Sequence, residues 1–140
     1  MKDAKLTAAE KRRLKEAFEN IPFAQLLGLK LGALARGSAE LKLNIREELK
    51  RNRGLVHGGV TASLIDTAAA FAILTLLEPG QRTSTVDLTI HYLRPLLKGK
   101  TTAQARVVRA GRRLIVVSVD VFDESEVLVA TALTSYLRVS

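Results

Sequence analysis

Asp66 is the one ionisable side chain in the stretch 58–77, which opens on Gly58-Gly59 directly after His57 and closes against Glu78-Pro79-Gly80. A glycine pair followed by about five largely apolar turns reads as a loop entering a helix, and Pro79-Gly80 as its stop. A helix apolar nearly all the way round is a buried helix, so an acid inside it needs a reason. One reason is structural: a core carboxylate satisfied by a hydroxyl or paired with an arginine. The other is chemical. Two glycines let another molecule approach the backbone, and the first amide N–H groups of a helix lack intrahelical partners, so they can hold negative charge developing on a carbonyl oxygen under attack. Asp66 lies eight residues beyond Gly58, or ~12 Å along a helix axis. One carbonyl cannot touch both groups. A shared reaction therefore requires the carboxylate from a second copy of the helix, most simply across a two-fold axis.

The elements that must position these groups are legible as changes of period. Residues 6–20 form an amphipathic helix, with Thr7 and Glu10 at capping-box spacing and Leu6, Leu14, Ala17 and Phe18 as its apolar stripe. Ile21-Pro22 ends it, and residues 23–28 read as a short apolar turn or helix. Leu29, Leu31, Ala33 and Ala35 then share one face, Gly37-Ser38 turns the chain, and Ala39, Leu41, Leu43 and Ile45 alternate with polar residues, which predicts a hairpin. Residues 47–54 are a polar loop carrying Lys50, Arg51, Asn52 and Arg53 toward His57. Beyond the central helix, residues 83–93 alternate, with Ser84, Val86, Leu88, Ile90 and Tyr92 on one face and Thr85, Asp87, Thr89 and His91 on the other. Residues 101–109, 113–122 and 127–138 are three more strands on short links, which predicts antiparallel pairing throughout. The expected class is α+β: one antiparallel sheet wrapped around one long central helix, with an N-terminal helix within residues 1–20, in a single domain spanning 1–140.

Composition narrows the chemistry. The 140 residues are 47% apolar, enough for one core, and contain no cysteine, which excludes disulfides and thiolate metal sites and suits a reducing compartment. With His57 and His91 the only histidines, a catalytic metal is not expected. Residues 1–5 are charged and lead into an amphipathic segment, so no secretory signal is read there and a cytoplasmic location is expected. The run 60–77 is long enough to raise the question of a membrane span, but Asp66 near its middle, beside Thr61 and Ser63, argues against one. Net charge is +8 with a pI near 10.2. Six of the eight excess charges fall before His57, yet there is no long basic run, aromatic content is 4%, and no helix-turn-helix or zinc-finger spacing occurs. A nucleic-acid partner is not expected, whereas a basic surface suits a small polyanionic ligand. The glycines fit neither nucleotide-binding pattern, and no Gly-x-Ser-x-Gly elbow is present.

Three spaced features carry a resemblance: Gly54-Leu55-Val56-His57-Gly58-Gly59, Asp66 nine residues after His57, and Val86-Asp87-Leu88-Thr89-Ile90-His91-Tyr92-Leu93-Arg94-Pro95. Together they resemble the hotdog-fold acyl-CoA thioesterases, in the branch similar to the phenylacetate-degradation thioesterases, over nearly the whole chain. The resemblance implies two subunits pairing their sheets with active sites between them, as a homodimer or a dimer of dimers. It implies that the Gly58 N–H, with Gly59 beside it, polarises the thioester carbonyl while Asp66 of the other subunit is nucleophile or general base. His57 would orient the loop or bond near the thioester. A Ser or Thr two residues before the Asp of the next strand helps hold the attacking water in that family, and Thr85 matches by register, with Ser84 as its neighbour on the opposite face. Family members often carry an Asn six residues before the His; here that position is Arg51, and Asn52, one closer, is the candidate substrate contact. The phosphates of coenzyme A, which is part of the substrate, suit a basic rim drawn from Lys98, Lys100, Arg109, Arg112 and Arg113, and neither metal nor other cofactor is needed. The competing reading is a non-catalytic acyl-CoA-binding or regulatory module, against which an otherwise unpaired acid in an apolar helix argues, because it costs stability without holding an acyl chain.

Overall fold

The computed structural model describes residues 5–139. The charged start read above as no secretory signal falls mostly on residues 1–4, outside the described residues. The elements run α1 (Ala8–Glu19), α2 (Pro22–Leu27), β1 (Lys30–Ala35), β2 (Ser38–Asn44), α3 (Gly58–Leu74), β3 (Thr83–Tyr92), β4 (Lys100–Ala110), β5 (Leu114–Phe122) and β6 (Leu128–Arg138), with two short 3₁₀ turns, Glu47–Leu49 and Asn52–Gly54, between β2 and α3. Thr7 and Glu10 close the expected capping box on α1, and Arg36 from the β1–β2 turn grips Glu10 through both guanidinium nitrogens at 2.8 and 3.1 Å. The segment after Pro22 is a helix, ended by Gly28 at φ 79°. Arg46 caps its C-terminus by donating to the carbonyls of Leu26 and Leu27, which leaves no carbonyl dipole unanswered at that end.

The six strands form one antiparallel sheet in the order β1-β2-β4-β5-β6-β3. Short links make the β1–β2, β4–β5 and β5–β6 hairpins. The longer 93–99 connection does not: β4 leaves β3 and pairs with β2, so β3 becomes an edge strand beside β6. In β2 the alternation holds, with Ala39, Leu41 and Leu43 buried. In β1 it does not. A bulge between Leu31 and Leu34 turns both leucines toward the core and leaves Ala33 exposed, against the expected Leu29-Leu31-Ala33-Ala35 face.

Helix α3 lies mainly across β2, β4 and β5. Leu64, Ile65, Ala68, Ala69, Ala72 and Ile73 are inaccessible to solvent and pack on Leu41, Leu43, Ala103, Ile115, Val117, Val119 and Val121. Phe71 meets Phe18 of α1 edge to face at 5.5 Å, the geometry favoured by ring quadrupoles. The helix ends at Leu74, three residues before the expected stop. There the Thr75 hydroxyl donates to the Ala72 carbonyl and accepts from the Gly37 N–H, tying the helix end to the β1–β2 turn. The expectation that α3 is buried all round is also corrected. Val60, Ala62, Ser63, Asp66, Thr67, Ala70 and Leu74 are only half-buried, a stripe at helical spacing that small side chains keep low. Asp66 lies in that stripe.

Candidate active site

The start of α3 is held by contacts on one peptide group. His57 is its N-cap, and its Nδ1 accepts from the Gly59 N–H at 2.9 Å, so the imidazole proton sits on Nε2. Tyr92, reaching across from β3, donates its hydroxyl to the Gly58 carbonyl at 2.8 Å. The peptide joining Gly58 to Gly59 is thereby fixed on both sides. The Val60 N–H bonds the His57 carbonyl, and among the described residues the Gly58 N–H has no partner. Both positions are crowded enough to explain the glycines: a Cβ at Gly58 would stand 3.3 Å from the Tyr92 hydroxyl, and one at Gly59 3.0 Å from His57 Nδ1. An unpaired helix-start N–H beside a fixed backbone is a preorganised donor for an oxyanion.

The loop before this helix start is pinned by Val56 N–H to the Leu96 carbonyl, His57 N–H to the Leu49 carbonyl, and Arg51 N–H to the Leu55 carbonyl. Arg53 takes a left-handed φ of 66°, followed by Gly54 at 75°. A cleft of about 470 Å³ opens here, with Gly58, Gly59 and Thr61 on one wall, Leu55, Val56, Leu96 and Val129 as apolar floor, and Tyr92, Arg51 and Arg94 at the sides. Asn52 is exposed on the same loop but does not line the cleft, whereas Arg51, six residues before His57, does.

Asp66 sits at the other end of β3. Its Oδ1 accepts from the Thr85 hydroxyl at 3.0 Å and from the Tyr136 hydroxyl at 2.5 Å, and the Tyr136 oxygen is also 2.8 Å from the Asp66 carbonyl. Among the described residues nothing bonds to Oδ2, and no salt bridge involves this carboxylate. Burial, and after it the hydrogen bond to Asp66, push the Tyr136 phenol well above its ordinary value, so it remains a neutral donor. Thr85 reaches the carboxylate because of a β-bulge between Thr85 and Asp87. Strict alternation groups Ser84 with Leu88, Ile90 and Tyr92. The bulge changes the parity, so that Thr85 lies opposite Tyr136 while Leu88 and Tyr92 lie opposite Thr134 and Ala130. Ser84 is exposed, opposite Leu137, and is not brought to Asp66.

The expected site residues thus fall into two groups in one chain. His57, Gly58 and Gly59, with Tyr92, are at the cleft end of α3; Asp66, Thr85 and Tyr136 are at the far end. Arg112 and Arg113 belong with the second group, exposed on the β4–β5 turn that Arg138 anchors through the Gly111 and Arg113 carbonyls. The five-cation rim does not form one patch, because Lys98 and Lys100 lie at the opposite end of the eleven-residue β4 from Arg109, with Lys100 and Arg109 roughly 30 Å apart along the strand. Sequence reasoning missed Tyr136 and the contact made by Tyr92. A signal existed for the first: Ala130, Ala132, Thr134 and Tyr136 recur at period two, and a phenol on an inward face needs a partner for its hydroxyl. Among the described residues no cluster of ligating side chains is suited to a metal ion, and no helix is long and apolar enough to cross a membrane.

Comparison with known proteins agrees with this architecture. The pattern of the thioesterase superfamily matches residues 53–130. A Saccharolobus solfataricus protein assigned provisionally as an esterase is 35% identical over 111 residues, 79% of this chain and 73% of that protein. The medium/long-chain acyl-CoA thioesterase YigI of Salmonella typhimurium is 30% identical over 133 residues, 84% of this chain and 86% of its own. The solved structure of the PaaI protein from the phenylacetic acid degradation operon of E. coli matches with a TM-score of 0.87 at 25% identity, over 95% of this chain and 96% of that one. A Thermus thermophilus protein of known structure matches at 32% identity with a TM-score of 0.79, over 86% and 99% of the two chains. Sequence pattern, relatives and fold converge: the chain belongs to the thioesterase superfamily and is a hotdog-fold thioester hydrolase.

Proposed function

We propose that this chain hydrolyses acyl-CoA thioesters in sites shared between two copies, one giving the Gly58 N–H and the other Asp66. The observation that carries the proposal is the separation, on one helix, of an unpaired helix-start N–H from a carboxylate with one open oxygen, ~12 Å apart along the axis. The reacting carbonyl needs both within ~3 Å. The half-buried stripe of α3 that carries Asp66, and the unpaired edge of the ten-residue strand β3, are the surfaces that a second copy would cover. In the reaction the Gly58 N–H donates to the thioester oxygen as negative charge develops there. Asp66 Oδ2 either attacks the carbonyl carbon, forming an acyl–Asp66 anhydride that water then hydrolyses, or takes a proton from the water that attacks directly; the C–S bond breaks, the thiolate leaves as coenzyme A and the acyl group leaves as the free acid. The cleft beside Gly58 has a mainly apolar floor, as an acyl or pantetheine chain requires. Arg112 and Arg113 at the Asp66 end are the cations placed to meet coenzyme A phosphates.

The test is free-thiol release from aryl-, short- and long-chain acyl-CoA esters by the wild type and by Asp66→Asn. Turnover of at least one class by the wild type, abolished in the variant with the fold intact, supports the reading. Failure to turn over any CoA ester, or an Asn variant as active as the wild type, sinks it.

A further inference from the structure

Tyr136 lies outside the cleft, is 3% exposed, and belongs to none of the motifs that the sequence offers. It faces Thr85 directly across the β3–β6 ladder, and the two hydroxyls converge on the same carboxylate oxygen, Asp66 Oδ1, at 2.5 and 3.0 Å. Resting on the reading of Asp66 above, we propose that Tyr136 is a positioning residue: with Thr85 it holds Oδ1 and so leaves Oδ2 as the oxygen presented to substrate or water. A phenol has one proton and Tyr136 has two acceptors within reach, Oδ1 and the Asp66 main-chain carbonyl at 2.8 Å. The carboxylate is the shorter contact and the charged acceptor, so it takes the proton. The carbonyl belongs to a helix and has its own intrahelical donor.

Two donors on one oxygen have two consequences. They fix the side-chain torsion of an Asp whose helix position alone leaves it free to turn. They also occupy the lone pairs of Oδ1, so the open lone pairs of the carboxylate are those of Oδ2. Among the described residues no other side chain, charged or neutral, from α3, β3 or β6 bonds to this carboxylate. Loss of the Tyr136 hydroxyl is therefore expected to be felt there directly. The phenol stays protonated, because burial and the adjacent carboxylate both disfavour its ionisation.

The experiment compares wild type, Asp66→Asn, Tyr136→Phe and Thr134→Val in acyl-CoA hydrolysis from pH 4 to pH 9. Thr134→Val removes another buried β6 hydroxyl, the one that donates to the Asp87 carbonyl, without touching Asp66. Tyr136→Phe should lower kcat roughly tenfold or more with KM within about twofold. Thr134→Val should leave both kcat and KM within about twofold of wild type. A folded Tyr136→Phe protein whose kcat stays within about twofold of wild type, or whose loss is matched by Thr134→Val, overturns the proposal. An Asp66→Asn variant of wild-type activity overturns the underlying reading instead, so the two failures are distinguishable. If Tyr136→Phe does not fold, the same question is put through acidity. The chain has two tyrosines, so in a Tyr92→Phe parent, uniform incorporation of a ring-fluorinated tyrosine alters Tyr136 alone. A more acidic donor on Oδ1 should then change kcat with KM within about twofold, and an unchanged kcat overturns the proposal.

Discussion

In the proposed reaction Asp66 and Gly58 divide the work that a thioester carbonyl asks for, and the residues around each explain why those two atoms and not their neighbours are free. His57 takes the Gly59 N–H and Tyr92 the Gly58 carbonyl, which leaves the Gly58 N–H. Thr85 and Tyr136 take Oδ1, which leaves Oδ2. Asp66→Asn keeps the shape but removes the base or nucleophile, so kcat is expected to fall by roughly 10²–10⁴-fold with the melting temperature nearly unchanged. His57→Ala frees the Gly59 N–H and unpins the peptide; kcat should fall by a smaller factor and KM should change little, which steady-state kinetics on one CoA ester would check. Thr101 is a residue of another kind. Fully buried in β4, its hydroxyl has no hydrogen-bond partner among the described residues. Thr101→Val keeps the shape and removes an unsatisfied group, and it is expected to stabilise the fold by about 1 kcal/mol in denaturant titration; destabilisation would mean that the hydroxyl has a role that the fold does not reveal.

At the scale of elements, what positions the site is a bulge, an edge and a cap. The helix and most strands were legible because a period of 3.6 or 2 persists over many residues: β2, β5 and β6 bury the face that their alternation names. The exceptions have physical causes. A β-bulge inserts a residue without any composition signal, so the alternation of Thr85 with Ser84 and Val86 reads straight through it. The two groups that chemistry needs were visible as a Gly-Gly helix start and a lone acid. The hydroxyls that orient the acid come from strands 19 and 70 residues away, and which strands meet at α3 is decided by the crossover that sends β3 to the edge. The N-terminal cap makes a pH-dependent prediction. Two bonds from Arg36 and the capping bond to Thr7 hold Glu10 at about 2, below its ordinary 4.5. A lowered carboxylate contributes stability that is present above 4.5 and lost as pH falls toward about 2. Glu10→Gln should therefore loosen α1 at neutral pH, seen as faster amide exchange there, and differ little from wild type near pH 2; because the pair is only half-buried and solvent reaches it, the effect is small.

For the whole molecule, the proposed chemistry calls for a second copy. Within one chain the cleft beside Gly58 does not contain Asp66, and the half-buried side of α3 and the open edge of β3 lie where a partner would bring the missing half. Arg112 and Arg113 on the β4–β5 turn travel with Asp66. Arg112→Ala with Arg113→Ala is accordingly expected to raise KM for CoA esters more than it changes kcat, and to weaken the response of KM to added salt. Equal loss with a thioester lacking the nucleotide end would contradict a role in phosphate binding. The shared site is tested most directly by subunit exchange. Gly58→Pro removes the donor N–H at the first helical position, where the backbone admits proline and the exposed Tyr92 side chain must shift to make room for the ring, and Asp66→Asn removes the carboxylate. Each variant alone should be inactive while still folding and associating. Mixed and allowed to exchange, they should regain activity, up to half that of the wild type per heterodimer, because one of its two sites receives both intact groups. Verified heterodimers that stay inactive, or a monomer that is fully active, would contradict a site built from two chains.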